Sequence, residues 1–289
     1  MEINKINQLI LSGGGVLGYS YIGVLKNLEE LNIITNIKHI IGCSTGAIFG
    51  SLIALGYTSN ELYTALIMIN PSEYLNISLE NIISFTKNKG LDNGELFINK
   101  LKELIGIKTL NPDITFIEMY EKTGIKLEIG ITNINTMIFE LCNYETTPNI
   151  SIHLAIKAST AIPFIFQPVK ISENWYCDGG LSNNYPINNM INENTTLGIY
   201  LTNSINIESI ESIEDLSLGI YIDKIMKSCS NIISILKKYK NNTIIIEIPR
   251  DITTSFQFIT NKENIAKCIV YGYQNMKTKM EQIQKKNIF

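Results

Sequence analysis

The first part of the chain alternates between short apolar runs and longer stretches in which apolar residues recur at helical spacing. Residues 8–12 form a short apolar run and residues 37–41 read as a second strand, and glycines follow each of them. Residues 19–31 carry apolar side chains every three or four positions, which predicts a helix, and residues 47–55 are predicted to form an apolar helix. Because strands and helices alternate, we predict parallel strands joined by helical crossovers, and therefore an α/β fold.

The rest of the chain continues this mixture without an internal repeat or an obvious linker. Further helices are predicted at residues 59–69, 93–105, 115–122, 151–159, 216–239 and 262–284, with Ser59 as the N-cap of the first. Strands are predicted at residues 126–132, 137–142, 175–177, 196–201 and 243–248, and an extended segment at 163–168. The polar insertion, residues 75–91, has no clear periodicity. We expect a single domain over residues 1–289.

The composition is that of an ordinary globular protein, and its charge argues against a nucleic-acid partner. Hydrophobic residues make up 45% and charged residues 18%, with a formal net charge of -3, so no nucleic-acid partner is expected. The five cysteines are scattered and match no zinc or redox spacing, which indicates a reducing, cytoplasmic setting. No bound metal ion or cofactor is expected. The N-terminus lacks the pattern of a signal peptide, and the uncharged residues 40–57 are too rich in glycine for a transmembrane segment.

Three local motifs could carry chemistry, and the first surrounds Ser44. The residues from Gly42 to Gly46 read G-x-S-x-G, the pattern of a nucleophile elbow. The serine follows a predicted strand and opens a predicted helix, so its hydroxyl would lie on a sharp turn beside the helix N-terminus. Taken alone, the pattern also occurs by chance.

The second motif is a glycine-rich turn, which contains Gly13, Gly14, Gly15 and Gly18. Consecutive glycines allow several backbone N–H groups to converge, as an oxyanion hole requires. The spacing also fits the G-x-G-x-x-G pattern of dinucleotide binding, but the acidic residue expected about twenty positions later is missing. A nucleotide-binding module and a plain structural turn remain alternatives.

The third motif is Asp178 followed by Gly179 and Gly180, directly after a predicted strand. Asp-Gly is a common turn, yet a serine nucleophile needs a base. The chain has two histidines, His39 and His153, and neither follows Asp178 in the order of an α/β-hydrolase triad. An aspartate base, made more basic by burial, is therefore the favoured interpretation.

A triad of Ser44, Asp113 and His153 would preserve the order of an α/β-hydrolase triad. However, Asp113 lies in an Asn-Pro-Asp turn and His153 in a predicted helix without other site-like residues. This triad remains the weaker hypothesis.

In combination, the glycine turn, the elbow and the distant Asp-Gly-Gly resemble the patatin-like phospholipase family. The resemblance extends from about residue 9 to residue 186 and includes the small residues and proline at 158–163 and the Asn-Tyr-Pro turn at 184–186. It implies a three-layer α/β/α fold with a mostly parallel central sheet, which residues 187–289 would complete. It also implies a lipid acyl hydrolase without a metal ion, of the phospholipase A or lysophospholipase type.

By this resemblance, Ser44 and Asp178 would form a catalytic dyad and Gly13, Gly14 and Gly15 would supply the oxyanion donors. Gly18, Gly42, Gly46, Gly179 and Gly180 would support the elbow and the motifs. Leu17 stands where many relatives carry a basic residue, so a cation that could assist the loop or a phosphate headgroup is missing at this position. A catalytically inactive lipid-binding or effector protein is a further alternative.

The substrate would be a phospholipid or another acyl lipid, reached through peripheral contact with a membrane. Two segments are candidates for this contact. One is the basic, isoleucine-rich stretch near residues 222–240, which more often is an ordinary helix with one face on the core. The other is the polar insertion, as an interfacial lid.

Overall fold

A computed structural model describes residues 3–67, 71–203, 218–229, 232–258 and 260–286. The strands are β1 (Gln8–Leu11), β2 (His39–Cys43), β3 (Gly90–Asp92), β4 (Lys126–Asn133), β5 (Ile138–Cys142), β6 (Phe164–Phe166), β7 (Val169–Ile171), β8 (Asn174–Asp178), β9 (Thr196–Asn203) and β10 (Thr243–Ile248). The helices are α1 (Ser20–Glu30), α2 (Thr45–Ala54), α3 (Ser59–Leu66), α4 (Leu79–Ile83), α5 (Phe85–Asn88), α6 (Glu95–Thr109), α7 (Phe116–Thr123), α8 (Ile152–Ser159), α9 (Gly180–Asn183), α10 (Leu218–Cys229), α11 (Ile232–Lys238) and α12 (Lys262–Lys286).

The central sheet has eight strands, and most of its neighbours are parallel. Its order is β10-β9-β1-β2-β4-β8-β7, and β5 also pairs with β4. The first five strands of this order are parallel, whereas β5, β8 and β7 pair antiparallel. β3 and β6 form a separate parallel pair. The prediction of an α/β fold with a mostly parallel central sheet is confirmed.

Both faces of the sheet are buried, because helices pack on both sides of it. Leu9 and Leu11 of β1 belong to the larger core cluster, whereas Ile10 between them packs with Tyr185 and Tyr200 in a second cluster. Alternate residues of a strand point to opposite faces, so this division shows that β1 contributes to two cores. The result is the predicted arrangement of three layers.

The long helix α12 packs closely against α1. A side chain at Gly23 would overlap the carbonyl of Ile269, and one at Gly272 would overlap the carbonyl of Ser20. The two backbones approach each other because both contact positions are glycine. The C-terminal part of the chain therefore contributes to the layer that contains α1.

The direction of β8 differs from the sequence-based expectation. Asp178 was expected at the end of a strand like those that carry sites in parallel sheets, but β8 runs antiparallel to β4. β8 pairs through Tyr176 with Asn133 and through Asp178 with Ile131, and it ends there. Because Gly130, the neighbour of Ile131, pairs with Cys43 of β2, Asp178 arrives beside the residue that follows β2.

Other differences concern boundaries and short elements. The N-cap of α3 is Thr58 and not Ser59, because Thr58 and Glu61 form a reciprocal capping box. The predicted helix at 216–239 consists of α10 and α11, and residues 216–217 and 230–231 lie outside the described residues. The polar insertion contains α4, α5 and the start of β3. The sequence did not predict β3 or β7, because each strand has only three residues.

Candidate active site

Ser44 lies on a strained turn between β2 and α2. Its backbone has φ 51° and ψ -124°, a conformation that residues with a side chain rarely adopt. Neighbouring glycines make the turn sterically feasible, because a Cβ on Gly42 would overlap the carbonyl of Gly46 and a Cβ on Gly46 would overlap that of Leu11. The G-x-S-x-G spacing thus holds the hydroxyl at the junction of strand and helix.

The hydroxyl of Ser44 donates a hydrogen bond of 2.7 Å to Oδ2 of Asp178, although 134 positions separate the two residues. The other carboxylate oxygen, Oδ1, accepts a 2.7 Å hydrogen bond from the N–H of Gly180. Asp178 is completely buried. Burial raises the pKa of its carboxyl group from 3.8 to about 7, and the hydrogen bonds from Ser44 and Gly180 limit the increase. Such a group can accept a proton near neutral pH.

The backbone around Asp178 is fixed on several sides. Its N–H donates to the carbonyl of Ala161 at 2.9 Å, and its carbonyl accepts from the hydroxyl of Thr132 at 2.9 Å. A side chain at Gly179 would overlap the carbonyl of Gly130, and one at Gly180 would come within 2.9 Å of the Asp178 carboxylate. The two glycines therefore allow the chain to turn away from β4 while the carboxylate stays beside Ser44.

The glycine turn lines the same narrow cleft as Ser44 and Asp178. Within it, the N–H of Gly13 donates to the carbonyl of Asn184 at 3.0 Å, so this amide already has a partner. Among the described residues, the amides of Gly14 and Gly15 have no such acceptor. Two free amides remain for an anionic oxygen.

The remaining glycines of this turn serve close packing. Gly15 has φ 53° and lies against the carbonyl of Ser255, while Gly18 lies against the side chain of Thr45. Neither position has room for a side chain. Leu17 is completely buried in the core, so its side chain does not reach the cleft.

Ser44 also lines a larger, apolar cavity of about 180 Å³. Its wall comes from α2, α3, α6 and residues at or next to the ends of the polar insertion. It includes Phe49, Leu52, Leu66, Leu75, Phe97 and Leu101. Ser44 and Gly15 line both the apolar cavity and the narrow cleft. The hydroxyl therefore lies where an apolar chain and a polar group can meet.

The two histidines lie in other networks. His39 Nε2 is 2.7 Å from Oε1 of Glu128, and both side chains are buried near the beginning of β2 and β4. His153 Nδ1 is 3.6 Å from Asp113 and Nε2 is 3.4 Å from the hydroxyl of Ser151. The hydroxyl of Ser44 donates to Asp178 instead, so the geometry does not assemble the alternative triad of Ser44, Asp113 and His153.

The sequence comparisons agree with this arrangement. The patatin-like phospholipase family model matches residues 9–191, more than half of the chain. This chain belongs to that family. A probable lipid hydrolase of Invertebrate iridescent virus 6 is 37% identical over 181 residues, which cover 62% of this chain and 61% of the viral protein. An uncharacterized protein of Acanthamoeba polyphaga mimivirus is 30% identical over 276 residues, 92% of this chain and 91% of that protein.

Structural comparison supports the same fold. The crystal structure of VipD from Legionella pneumophila matches with a TM-score of 0.60 and 18% sequence identity, covering 96% of this chain and 67% of that one. The resemblance to the patatin-like phospholipase family, first seen in the three motifs, is confirmed by the family match over residues 9–191. The described residues contain no helix long and apolar enough to cross a membrane, and no group of three or more His, Cys, Asp or Glu side chains placed to share a metal ion.

Sequence reasoning overlooked Ser159, the last residue of α8. The N–H of Ser44 donates to the Ser159 hydroxyl at 2.8 Å, and that hydroxyl donates to the carbonyl of Gly130 at 2.6 Å. Ser159 is completely buried and so ties the strained backbone of Ser44 to β4. Ser159 lies in the segment of small residues and proline at 158–163, and the resemblance of this segment to the family could have indicated Ser159.

Proposed function

We propose that this member of the patatin-like phospholipase family is a lipid acyl hydrolase of the phospholipase A or lysophospholipase type. In this proposal Ser44 is the nucleophile and Asp178 is the general base of a two-residue dyad. The observation that carries it is the 2.7 Å hydrogen bond between Ser44 Oγ and Asp178 Oδ2. The lipid-hydrolase description of the iridescent virus relative supports the reaction class.

In the first half of the reaction, Ser44 Oγ attacks the ester carbonyl carbon while its proton passes to Asp178. The carbonyl oxygen becomes anionic and receives the N–H groups of Gly14 and Gly15, because the amide of Gly13 is held by Asn184. When the intermediate collapses, the bond to the alcohol breaks and Asp178 returns the proton to the leaving oxygen. An acyl-enzyme remains.

In the second half, Asp178 takes a proton from water, and the hydroxide oxygen attacks the acyl carbon. Collapse of the second intermediate releases the fatty acid and restores the Ser44 hydroxyl with the proton from Asp178. The apolar cavity of about 180 Å³ is suited to the acyl chain, since it extends from Ser44 between α2, α3 and α6. Gly18, Gly42, Gly46, Gly179 and Gly180 would keep this geometry by allowing close backbone contacts.

A fluorophosphonate probe tests the assignment of the nucleophile, because it reacts covalently with activated serines. We expect wild type to be labelled, Ser44→Ala to remain unlabelled, and Asp178→Asn to be labelled at least about a hundredfold more slowly. Ser228→Ala is the matched control, since Ser228 is an exposed serine on α10 and should leave labelling unchanged. Labelling of Ser44→Ala at the wild-type rate would exclude Ser44 as the nucleophile.

The same protein samples separate the remaining hypotheses. An inactive lipid-binding or effector protein would bind vesicles but release no fatty acid from them, and neither substitution would change its function. A nucleotide-binding module would bind ATP or NAD saturably. Release of fatty acid from phospholipid or lysophospholipid that disappears in Ser44→Ala supports the hydrolase and contradicts both alternatives.

A further inference from the structure

The hairpin between β4 and β5 carries exposed apolar side chains at its tip. Ile134, Met137 and Ile138 are 45%, 85% and 59% exposed, and they lie in the turn or at its edge. The adjacent strand β8 contributes Trp175, the only tryptophan in the sequence, which is 44% exposed. Trp175 contacts the turn directly, because its carbonyl accepts from the N–H of Ile134 at 2.8 Å. We call these four residues the apolar tip.

The apolar tip lies at the end of the sheet that carries Ser44. Cys43, the last residue of β2, pairs with Gly130, and β4 continues beyond that level to Asn133. Because β2 and β4 are parallel, this extension runs in the direction in which β2 leads to Ser44. At about 3.3 Å per residue, the turn begins about 10 Å beyond the level of Cys43. A lipid surface that rests on the apolar tip therefore also faces the end of the sheet at which an ester must arrive.

Several N–H groups of this turn have acceptors within the protein. Oδ1 of Asn133 accepts from the N–H of Asn135 at 2.9 Å and from that of Thr136 at 3.2 Å. Oδ1 of Asn135 accepts from the N–H of Trp175 at 2.8 Å, and the Trp175 carbonyl pairs with Ile134. A backbone N–H group that enters lipid without a partner is costly, because no water is there to accept its hydrogen bond. The internal acceptors lower this cost for the turn.

The strands beside the apolar tip carry residue types that suit a membrane boundary. Lys170 of β7 pairs with Trp175 of β8, and both side chains are exposed. Tryptophan is enriched at the membrane–water boundary because its ring is apolar and its N–H is polar, and a neighbouring lysine extends its ammonium group back to water. Glu173, in the turn between β7 and β8, balances the charge of Lys170. Contact with lipid therefore does not require an anionic surface.

We propose that the apolar tip inserts into the interfacial layer of a zwitterionic lipid surface and holds the candidate site against it. This inference rests on the hydrolase function proposed above, because it explains how that site reaches an ester within a membrane. A lipid surface suits a projecting turn whose N–H groups are paired, whereas a protein partner would form hydrogen bonds to donors left open at the patch.

Trp175 reports this contact without a label, because it is the only source of tryptophan fluorescence. Wild-type protein is mixed with vesicles of ether-linked phosphatidylcholine, whose chains are not attached through esters and so are not hydrolysed. We expect the Trp175 emission to shift to shorter wavelength and its quenching by acrylamide to fall at least about twofold, since the indole leaves bulk water. Cosedimentation with the same vesicles gives the affinity.

Met137→Asn removes the most exposed side chain of the apolar tip and suits the backbone at this position. Met137 has φ 60°, a conformation that asparagine adopts more readily than methionine. We expect the vesicle affinity to fall about three- to tenfold while the thermal midpoint stays the same or rises. A loss of affinity through unfolding would instead lower the midpoint.

Leu110→Asn is the matched control. Leu110 has φ 62° and is 94% exposed, so the substitution has the same chemistry and the same backbone conformation. It lies at the C-terminal end of α6, whereas Leu104 is the last residue of α6 that lines the apolar cavity. Leu110→Asn should bind vesicles like wild type.

The outcomes separate this inference from the function on which it rests. If the Trp175 emission does not shift, or Met137→Asn binds like wild type, while Ser44→Ala loses fatty-acid release, the membrane contact is wrong and the hydrolase stands. If Ser44→Ala still releases fatty acid while the emission shifts and Met137→Asn binds weakly, the nucleophile assignment fails and the membrane contact stands. If light scattering shows a dimer that Met137→Asn converts to a monomer, and vesicles leave the emission unchanged, the apolar tip joins two copies of the chain and the lipid contact is overturned.

Discussion

Asp178 combines complete burial with a hydrogen bond to the proposed nucleophile, and its ionisation should control the reaction rate. Burial raises the pKa of this carboxyl group to about 7. Only the ionised form can accept the Ser44 proton, so we expect kcat/KM for a short soluble ester to decrease about tenfold per pH unit below pH 7 and to level off above it. The measurement is a rate profile from pH 5 to 9.

A control variant identifies the group responsible for this profile. Asp178→Asn retains the shape of the side chain but cannot act as a base, and its residual rate should lose the pH dependence. A wild-type rate that is constant between pH 5 and 8 would contradict the role of Asp178 as the base.

Ser159 offers a second test at the level of single residues. In Ser159→Ala, the N–H of Ser44 loses its acceptor, and we expect kcat to fall about ten- to a hundredfold with little change in KM, since the substrate contacts remain. Ser51→Ala is the matched control, because Ser51 is equally buried on α2 but donates to Ala47. An unchanged kcat in Ser159→Ala would show that this hydrogen bond does not position Ser44.

The residues of the candidate site differ in how far the sequence predicted them. Ser44 and Asp178 stand in short motifs, so the sequence indicated them as candidates, and the structure brings their side chains together. The occupied amide of Gly13 was not predictable, because its acceptor is the carbonyl of Asn184, 171 positions away and independent of side-chain type. Ser159 was missed for the same reason, since its partners are backbone groups of distant residues.

At the level of elements, the polar insertion lies beside the apolar cavity and carries exposed apolar side chains. Leu79 and Ile83 of α4 are 79% and 82% exposed, and Leu75 just before them lines the cavity. We propose that α4 contacts the lipid surface from which the acyl chain enters. In the double variant Leu79→Asn, Ile83→Asn, we expect the affinity for phospholipid vesicles, measured by cosedimentation, to fall at least about tenfold. The reason is that two apolar side chains no longer enter the membrane interface.

The control for this prediction is a substitution with the same chemistry elsewhere. Ile191 is 75% exposed, and its N–H donates to Gln8 at the start of β1, the opposite edge of the sheet from Ser44. Ile191→Asn should bind vesicles like wild type. Equal losses in both variants would indicate a general effect of surface polarity and would contradict a docking role for α4.

The elements themselves were predictable to different degrees. Long periodic stretches such as α6 and α12 and the alternating first strands and helices appear close to their predicted positions. Strand direction was not predictable, because the antiparallel pairing of β8 with β4 joins two segments that lie far apart in the chain. Sequence periodicity detects a strand but does not determine its neighbour.

At the scale of the whole molecule, a buried polar network lies at the amino-terminal ends of β1 and β2, whereas the candidate site lies at the carboxyl end of β2. His39 Nε2 contacts Glu128 at 2.7 Å, while its Nδ1 lies 2.9 Å from the amide nitrogen of Gln8. The Gln8 amide oxygen already accepts from Thr196 and from the N–H of Ile191, so its nitrogen faces the histidine as a donor. The imidazole therefore accepts at Nδ1 and donates to Glu128, joining β1, β2 and β4.

This network should affect stability and not chemistry. His39→Ala leaves the buried Glu128 without its main partner, so we expect the free energy of unfolding to decrease by about 2–4 kcal/mol. Fluorophosphonate labelling at 20 °C should keep the wild-type rate while the thermal midpoint falls. A labelling rate that falls in proportion to the loss of stability would show that the His39 network and the candidate site at Ser44 are coupled.

The contact between Ser44 and Asp178 spans 134 positions, and this separation has a consequence during protein synthesis. At about 5–20 residues per second, the ribosome adds the aspartate roughly 7–27 seconds after the serine. A nascent chain therefore carries the elbow, and much of the apolar wall beside it, well before it can carry the base. Under the proposed mechanism, the growing polypeptide cannot hydrolyse lipids until β8 has emerged and paired with β4.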